Sequence, residues 1–132
     1  MQSPTNLRAF AYAKAVAVRT YALTARFPSE ERFGITAQMR RAAVSVPANI
    51  AEGCGRNGNR ALVNFLHIAL GSLTELECLT DIAFELDMCS REQMRELEAD
   101  IATTKAMLSR LIVALRQRPD VPSGAVESTV DG

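Results

Sequence analysis

The chain has 132 residues, of which 48% are hydrophobic and 5% aromatic, with no Trp and a formal net charge of zero. That length fits one domain able to fold without a disulfide or metal staple, and an Ala- and Leu-rich, aromatic-poor composition disfavours a β-sandwich. The neutral balance argues against a dedicated polyanion binder, and three scattered cysteines, Cys54, Cys78 and Cys89, argue against a disulfide framework or a zinc site.

The first predicted helix covers residues 5 to 26, with Ser3-Pro4 or Thr5 as entry and Phe27-Pro28 as exit. Phe10, Ala13, Ala17, Thr20, Leu23 and Phe27 form its apolar stripe. The second starts after Ser29 and continues to about Cys54, with an irregular turn near Gly34. Ile35, Met39, Ala42, Ala43, Val46 and Ile50 share one face at helical spacing. Pro47 lies inside that pattern. It removes a backbone donor, so the expectation is one helix kinked at Pro47 rather than two separate helices, because the face pattern keeps its phase. Gly53 and Gly55 are expected to stop it.

A third helix begins near Asn59, after the Asn57-Gly58 turn, and reaches about Met88. It carries two seams: Leu62, Leu66, Ala69, Leu73, Leu76, Thr80 and Ala83, then Ile68, Ser72, Glu75, Leu79, Ile82 and Leu86 roughly 100° away. The fourth opens on a Ser90-Arg91-Glu92-Gln93 capping box and runs through Met94, Leu97, Ile101, Thr104, Leu108, Leu111 and Leu115 in 4-3 order. Short connections make consecutive helices antiparallel, so residues 1–118 are predicted to form an up-down four-helix bundle. Residues 119–132, rich in Pro, Ser and Gly, are predicted to be a disordered tail.

Zero net charge hides an asymmetry: residues 1–66 carry +6 and residues 67–132 carry −6. Thirteen of the fifteen basic residues are Arg, the type suited to bidentate pairing. Basic helices can pair with acidic ones within or between subunits, or the basic half can face nucleic acid, with Arg32, Arg56 and Arg60 as candidate contacts. The neutral total favours pairing. Along helix 2, Arg41, Ser45, Asn49, Glu52 and Arg56 fall within about 80°. They read either as a binding groove or, preferred, as a structural polar network with Arg40 and Glu75, in which Glu75 pairs with Arg40 or Arg41.

Catalysis has little support. His67 is the single histidine, no Glu-x-x-His motif is present, and Gly53-Cys54-Gly55 closes a helix rather than opening a phosphate loop. No cofactor, metal or catalytic residue is expected. The start MQSPTN lacks signal-peptide order, and Lys14 and Arg19 interrupt the apolar stretch near it, so neither a leader nor a membrane span is expected there. Free thiols suit a cytoplasmic location.

Arg26-Phe27-Pro28 followed by ERFGIT, QMRRAAVSVPANIAEG and FLHIALGSLTELE is similar to bacterial four-helix bundle proteins encoded in intervening sequences of large-subunit ribosomal RNA genes. The resemblance covers about residues 7 to 116, with Arg40–Gly53 as its most specific stretch. The chain departs from it in the Ala-rich helix 1 and in Cys54, where an aromatic is common. The resemblance implies a bundle that assembles further, into a ring of five, and kinship to the accessory protein of diversity-generating retroelements, which partners a reverse transcriptase and contacts nucleic acid. It implies no enzymatic activity. The surplus seam of helix 3 independently points to a homo-oligomer, and the opposite charges of the two halves suit head-to-tail contact.

Overall fold

In the computed structural model, which describes Met1 and residues 3–118, the chain forms α1 (Pro4–Thr24), α2 (Ile35–Cys54), α3 (Asn59–Glu85) and α4 (Arg91–Arg116). The predicted tail, 119–132, lies outside the described residues. Each helix packs on its sequence neighbours, α1 closes the square against α4, and the backbones of neither diagonal pair come within 8 Å, Cα to Cα. This is an up-down four-helix bundle. The α2–α3 interface is the most extensive and α1–α4 the least.

α1 starts at Ser3, whose hydroxyl accepts from the Asn6 amide at 3.4 Å, with Pro4 in the first turn. Ala9, Ala13, Val16, Ala17, Thr20, Leu23 and Thr24 are its buried residues. Five of the seven are Ala or Thr, and such small side chains allow a neighbouring helix to pack close. The buried threonines satisfy themselves within the helix. Thr20 Oγ1 donates to the Val16 carbonyl and Thr24 Oγ1 to the Thr20 carbonyl, each at 2.8 Å.

Phe27 is buried and anchors the exit from α1, and Ser29–Glu31 then form a 3-10 turn. The helix expected from Ser29 therefore begins only at Ile35. Helix-forming residues such as Glu30, Glu31 and Arg32 lie where the chain must reverse direction, and the reversal overrides their propensity. From Ile35 to Cys54, α2 is unbroken, with Pro47 inside it. It is one helix, not two. Gly53 does not stop it: Gly53 is buried in the last turn, where an added Cβ would lie 2.8 Å from Phe65 Cβ and 3.0 Å from Leu62 Cδ1. The glycine lets α2 and α3 approach closely. Gly58, at φ 87, makes the left-handed turn into α3.

The first seam of α3 is in the core: Leu66, Ala69, Leu73, Leu76, Thr80 and Ala83 are all 0% exposed. The second seam is mostly outside, with Ile68, Ile82 and Leu86 exposed and Leu79 covered at its edge. α3 is the one described helix long and apolar enough to cross a membrane, a property that follows from carrying two seams. It ends on Asp87 at φ 60, with the Met88 amide donating to the Ala83 carbonyl and the Asp87 amide to the Phe84 carbonyl, each at 2.9 Å. This is a Schellman closure with aspartate where glycine is usual. α4 opens on the predicted reciprocal cap: the Gln93 amide donates to Ser90 Oγ at 3.1 Å and the Ser90 amide to Gln93 Oε1 at 2.8 Å. Its whole predicted stripe is buried, joined by Ile112.

Candidate functional site

The polar row of α2 resolves into separate local arrangements. Arg40 Nε donates to Thr24 Oγ1 at 2.8 Å, Nη2 reaches the Tyr21 carbonyl at 3.5 Å, and the guanidinium lies 4.5 Å over the Tyr21 ring. Arg40 thus satisfies carbonyl-end groups of α1, where a cation is favoured by the helix dipole. One turn further on, the Ser45 and Ser72 hydroxyls are 2.7 Å apart across α2 and α3. Asn49 Nδ2 donates to the Ser45 carbonyl at 2.8 Å and to Ser45 Oγ at 2.9 Å. Near the helix end, Arg56 grips Glu52 Oε2 through Nε at 2.9 Å and Nη2 at 2.7 Å, and its guanidinium lies 5.2 Å from the Phe65 ring centroid. This exposed i,i+4 pair contributes about 0.3–0.5 kcal/mol.

Glu75 does not join them. It is exposed and forms no ion pair with Arg40 or Arg41. Its seam faces away from the core, so water solvates the carboxylate and no buried counter-charge is required. The opposite charges of the two halves meet elsewhere within the chain. Arg19 on α1 pairs with Asp100 at 2.5 Å and Glu96 at 3.6 Å on α4. Within the acidic half itself, Lys105 on α4 pairs with Glu77 on α3 at 3.2 Å.

A groove of about 770 Å³ lies between the end of α1, the connection and the first turns of α2. Tyr21, Arg32, Phe33, Thr36, Arg40 and Arg41 line it, and no carboxylate does. Phe33 is 86% exposed, with the Arg32 guanidinium 5.0 Å from its ring centroid. A phenyl ring left in water with one guanidinium beside it, in a groove lined by two more, is suited to stacking and anion contact together. Thr36 is buried, and its Oγ1 has no hydrogen-bond partner among the described residues.

The three arginines predicted as contacts are not one surface. Arg32 precedes α2, whereas Arg56 and Arg60 follow it, and 20 helical residues separate the two ends by roughly 30 Å. Arg32 belongs to the groove. Arg60 lines a smaller cleft at the far end of the bundle with Arg116 and Arg118. Sequence reasoning missed Tyr21 and Phe33 as groove residues; the available signal was an aromatic next to Arg32 outside any apolar stripe.

His67 is exposed and receives Arg116 Nη2 at Nε2, 3.0 Å away. Burial pushes the Cys54 and Cys89 thiols up, away from the reactive thiolate form. Burial, and then the nearby Asp81 and Glu77, push the Glu98 carboxyl up. Among the described residues no group of three His, Cys, Asp or Glu could hold a metal ion.

Residues 5–110 match the model of a family described as 23S rRNA-intervening sequence protein. The fold is similar to the crystal structure of a protein of unknown function from the S23 ribosomal protein family of Bacteroides thetaiotaomicron. That match has a TM-score of 0.74 at 22% identity, covering 82% of this chain and 97% of the other. No curated protein matches.

Proposed function

This chain belongs to the 23S rRNA-intervening sequence protein family, and from that premise we propose a non-enzymatic, self-assembling helical-bundle protein that contacts RNA through its arginine-rich groove. The observation that carries this reading is the groove itself: three guanidinia and two aromatic rings with no carboxylate among its lining residues. Bases stack on exposed rings without sequence preference, and arginine forks match phosphate oxygens. A neutral chain lacks a long-range field to hold RNA, so binding rests on local contacts and falls with salt. A protein that handles RNA is the alternative occupant, and a scaffold without nucleic-acid contact is the contrary reading. A cytoplasmic location fits the three free thiols.

Fluorescence anisotropy with a short single-stranded RNA at several salt concentrations tests the groove. Phe33→Ala is expected to lose about 1–3 kcal/mol if a base stacks there. Replacing Arg32 and Arg41 together with Gln lowers the salt slope by about 0.7 for each phosphate contact removed. Full-affinity binding by all these variants refutes the groove and puts the RNA elsewhere on the protein, whereas no binding by the native chain leaves the scaffold reading.

Self-assembly is supported by the second seam of α3, where Ile68 is 50%, Ile82 42% and Leu86 58% exposed. Large aliphatic side chains along one helix face favour cover by another copy. Five subunits is the number suggested by the family resemblance. Light scattering coupled to size exclusion decides it, and a mass near 14.4 kDa at micromolar concentration rejects assembly.

A further inference from the structure

The antiparallel helices gather arginine at one end of the bundle. Within about two turns of that end stand Arg8 on α1, Arg56 after α2, Arg60 on α3, and Arg110, Arg116 and Arg118 on or just after α4. The same stretch of described chain holds one carboxylate, Glu52, and Arg56 already occupies it. A cleft of about 310 Å³ opens here between the first turns of α3 and the last turn of α4. Val63 and Leu115, 8% and 5% exposed, give it an apolar lining, and Arg60, Arg116, Arg118 and Asn64 supply its donors. No described carboxylate lies within ion-pair distance of these three arginines, and Arg116 reaches the His67 ring instead.

We infer that this cleft binds a phosphate monoester dianion, carried by a free nucleotide or by the end of a nucleic-acid strand. Three guanidinia around one small cavity repel each other unless an anion sits between them. A monoester concentrates about −1.5 to −2 charges on one phosphorus near neutral pH, which suits this cluster better than the single charge of a diester. A cavity of about this size is at the small end of the ligand-pocket range, enough for a phosphate with part of a sugar or base against Val63 and Leu115. The donors stand apart from the RNA groove, so the two sites fail independently.

The test uses the full chain and isothermal titration with adenosine monophosphate, adenosine, and a short RNA bearing either a 5′-phosphate or a 5′-hydroxyl, all at matched ionic strength. The expected result is that phosphate raises affinity at least tenfold for one of these pairs. Loss of that preference is expected in Arg60→Gln with Arg116→Gln, and its retention in Arg32→Gln with Arg41→Gln. Preference in the mononucleotide pair assigns a free nucleotide, and preference confined to the RNA pair assigns a strand end. Equal binding with and without the phosphate overturns the inference, as does a preference that survives the Arg60 and Arg116 substitutions. Circular dichroism confirms that the variants, altered at exposed positions, remain folded.

Discussion

The Ser45 and Ser72 hydroxyls meet at 2.7 Å across the α2–α3 interface, and Asn49 donates to Ser45 from one turn below. Each hydroxyl therefore has a partner on the neighbouring helix in a half-buried position. Ser45→Ala or Ser72→Ala is expected to cost about 0.5–1.5 kcal/mol, the usual net worth of such a bond. The double variant is expected to cost less than the sum, because the second substitution removes a group already deprived of its partner. Urea unfolding of the four proteins in the cycle measures the difference; strict additivity shows that the contact contributes nothing.

Gly53→Ala tests the close approach of α2 to α3. The new methyl group would lie 2.8 Å from Phe65 Cβ, an atom fixed to the α3 backbone, so the helices must separate to admit it. Overpacking of this kind costs about 1–3 kcal/mol, against the gain alanine usually brings inside a helix. A stabilised variant would show that the two helices can move apart freely.

Asp87→Gly is expected to work in the other direction. Asp87 sits at φ 60 just beyond the carbonyl end of α3, where L residues are strained and a negative charge opposes the helix dipole. Glycine removes both penalties, and a gain of about 0.5–1 kcal/mol in thermal unfolding is the predicted outcome.

The pH dependence of Glu98 follows from its raised folded-state pKa. Below the unfolded value the carboxyl is protonated in both states and carries no penalty. As pH rises through the folded value it ionises beside Asp81 and Glu77, and the associated stability is lost. Glu98→Gln should therefore raise the melting temperature slightly at pH 7 and leave it unchanged near pH 3. An equal shift at both values assigns the effect to packing.

Pro47 offers no amide to the Ala43 carbonyl, and its ring crowds that carbonyl. An axis bend at Pro47 is predicted, with Pro47→Ala straightening α2. Comparing crystal structures of the two proteins measures the bend, and identical axes would remove the proline as its cause.

The elements that could be read from sequence were those whose signals are local. The α4 cap and stripe need only residues within a few turns of each other, and all of the predicted stripe is buried. α3 was harder, because its two seams have similar apolar spacing and only packing decides which one enters the core. The apolar seam neighbours of Glu75 predict a buried partner, but within that partly covered seam Glu75 itself is exposed. Arg40 finds Thr24, 16 residues away on another helix, and no spacing rule announces such a pair. The groove combines Tyr21 of α1 with Phe33 of the connection, two residues that the turn between them brings together. Its ingredients were visible in the sequence, but their convergence was not.

The alanine face of α1 has a dynamic consequence. Five of the seven buried residues of α1 are Ala9, Ala13, Ala17, Thr20 and Thr24, with Val16 and Leu23 the larger ones, whereas α4 buries Met94, Leu97, Ile101, Leu108, Leu111, Ile112 and Leu115. Small side chains pack closely but remove little apolar surface from water, so each turn of α1 resists separation weakly. Amide hydrogens of α1 should therefore exchange through local openings that leave α2 and α3 intact. Tyr21 would travel with it. One wall of the arginine-lined groove thus rides on a helix held mainly by small side chains, and its width can fluctuate without unfolding the bundle.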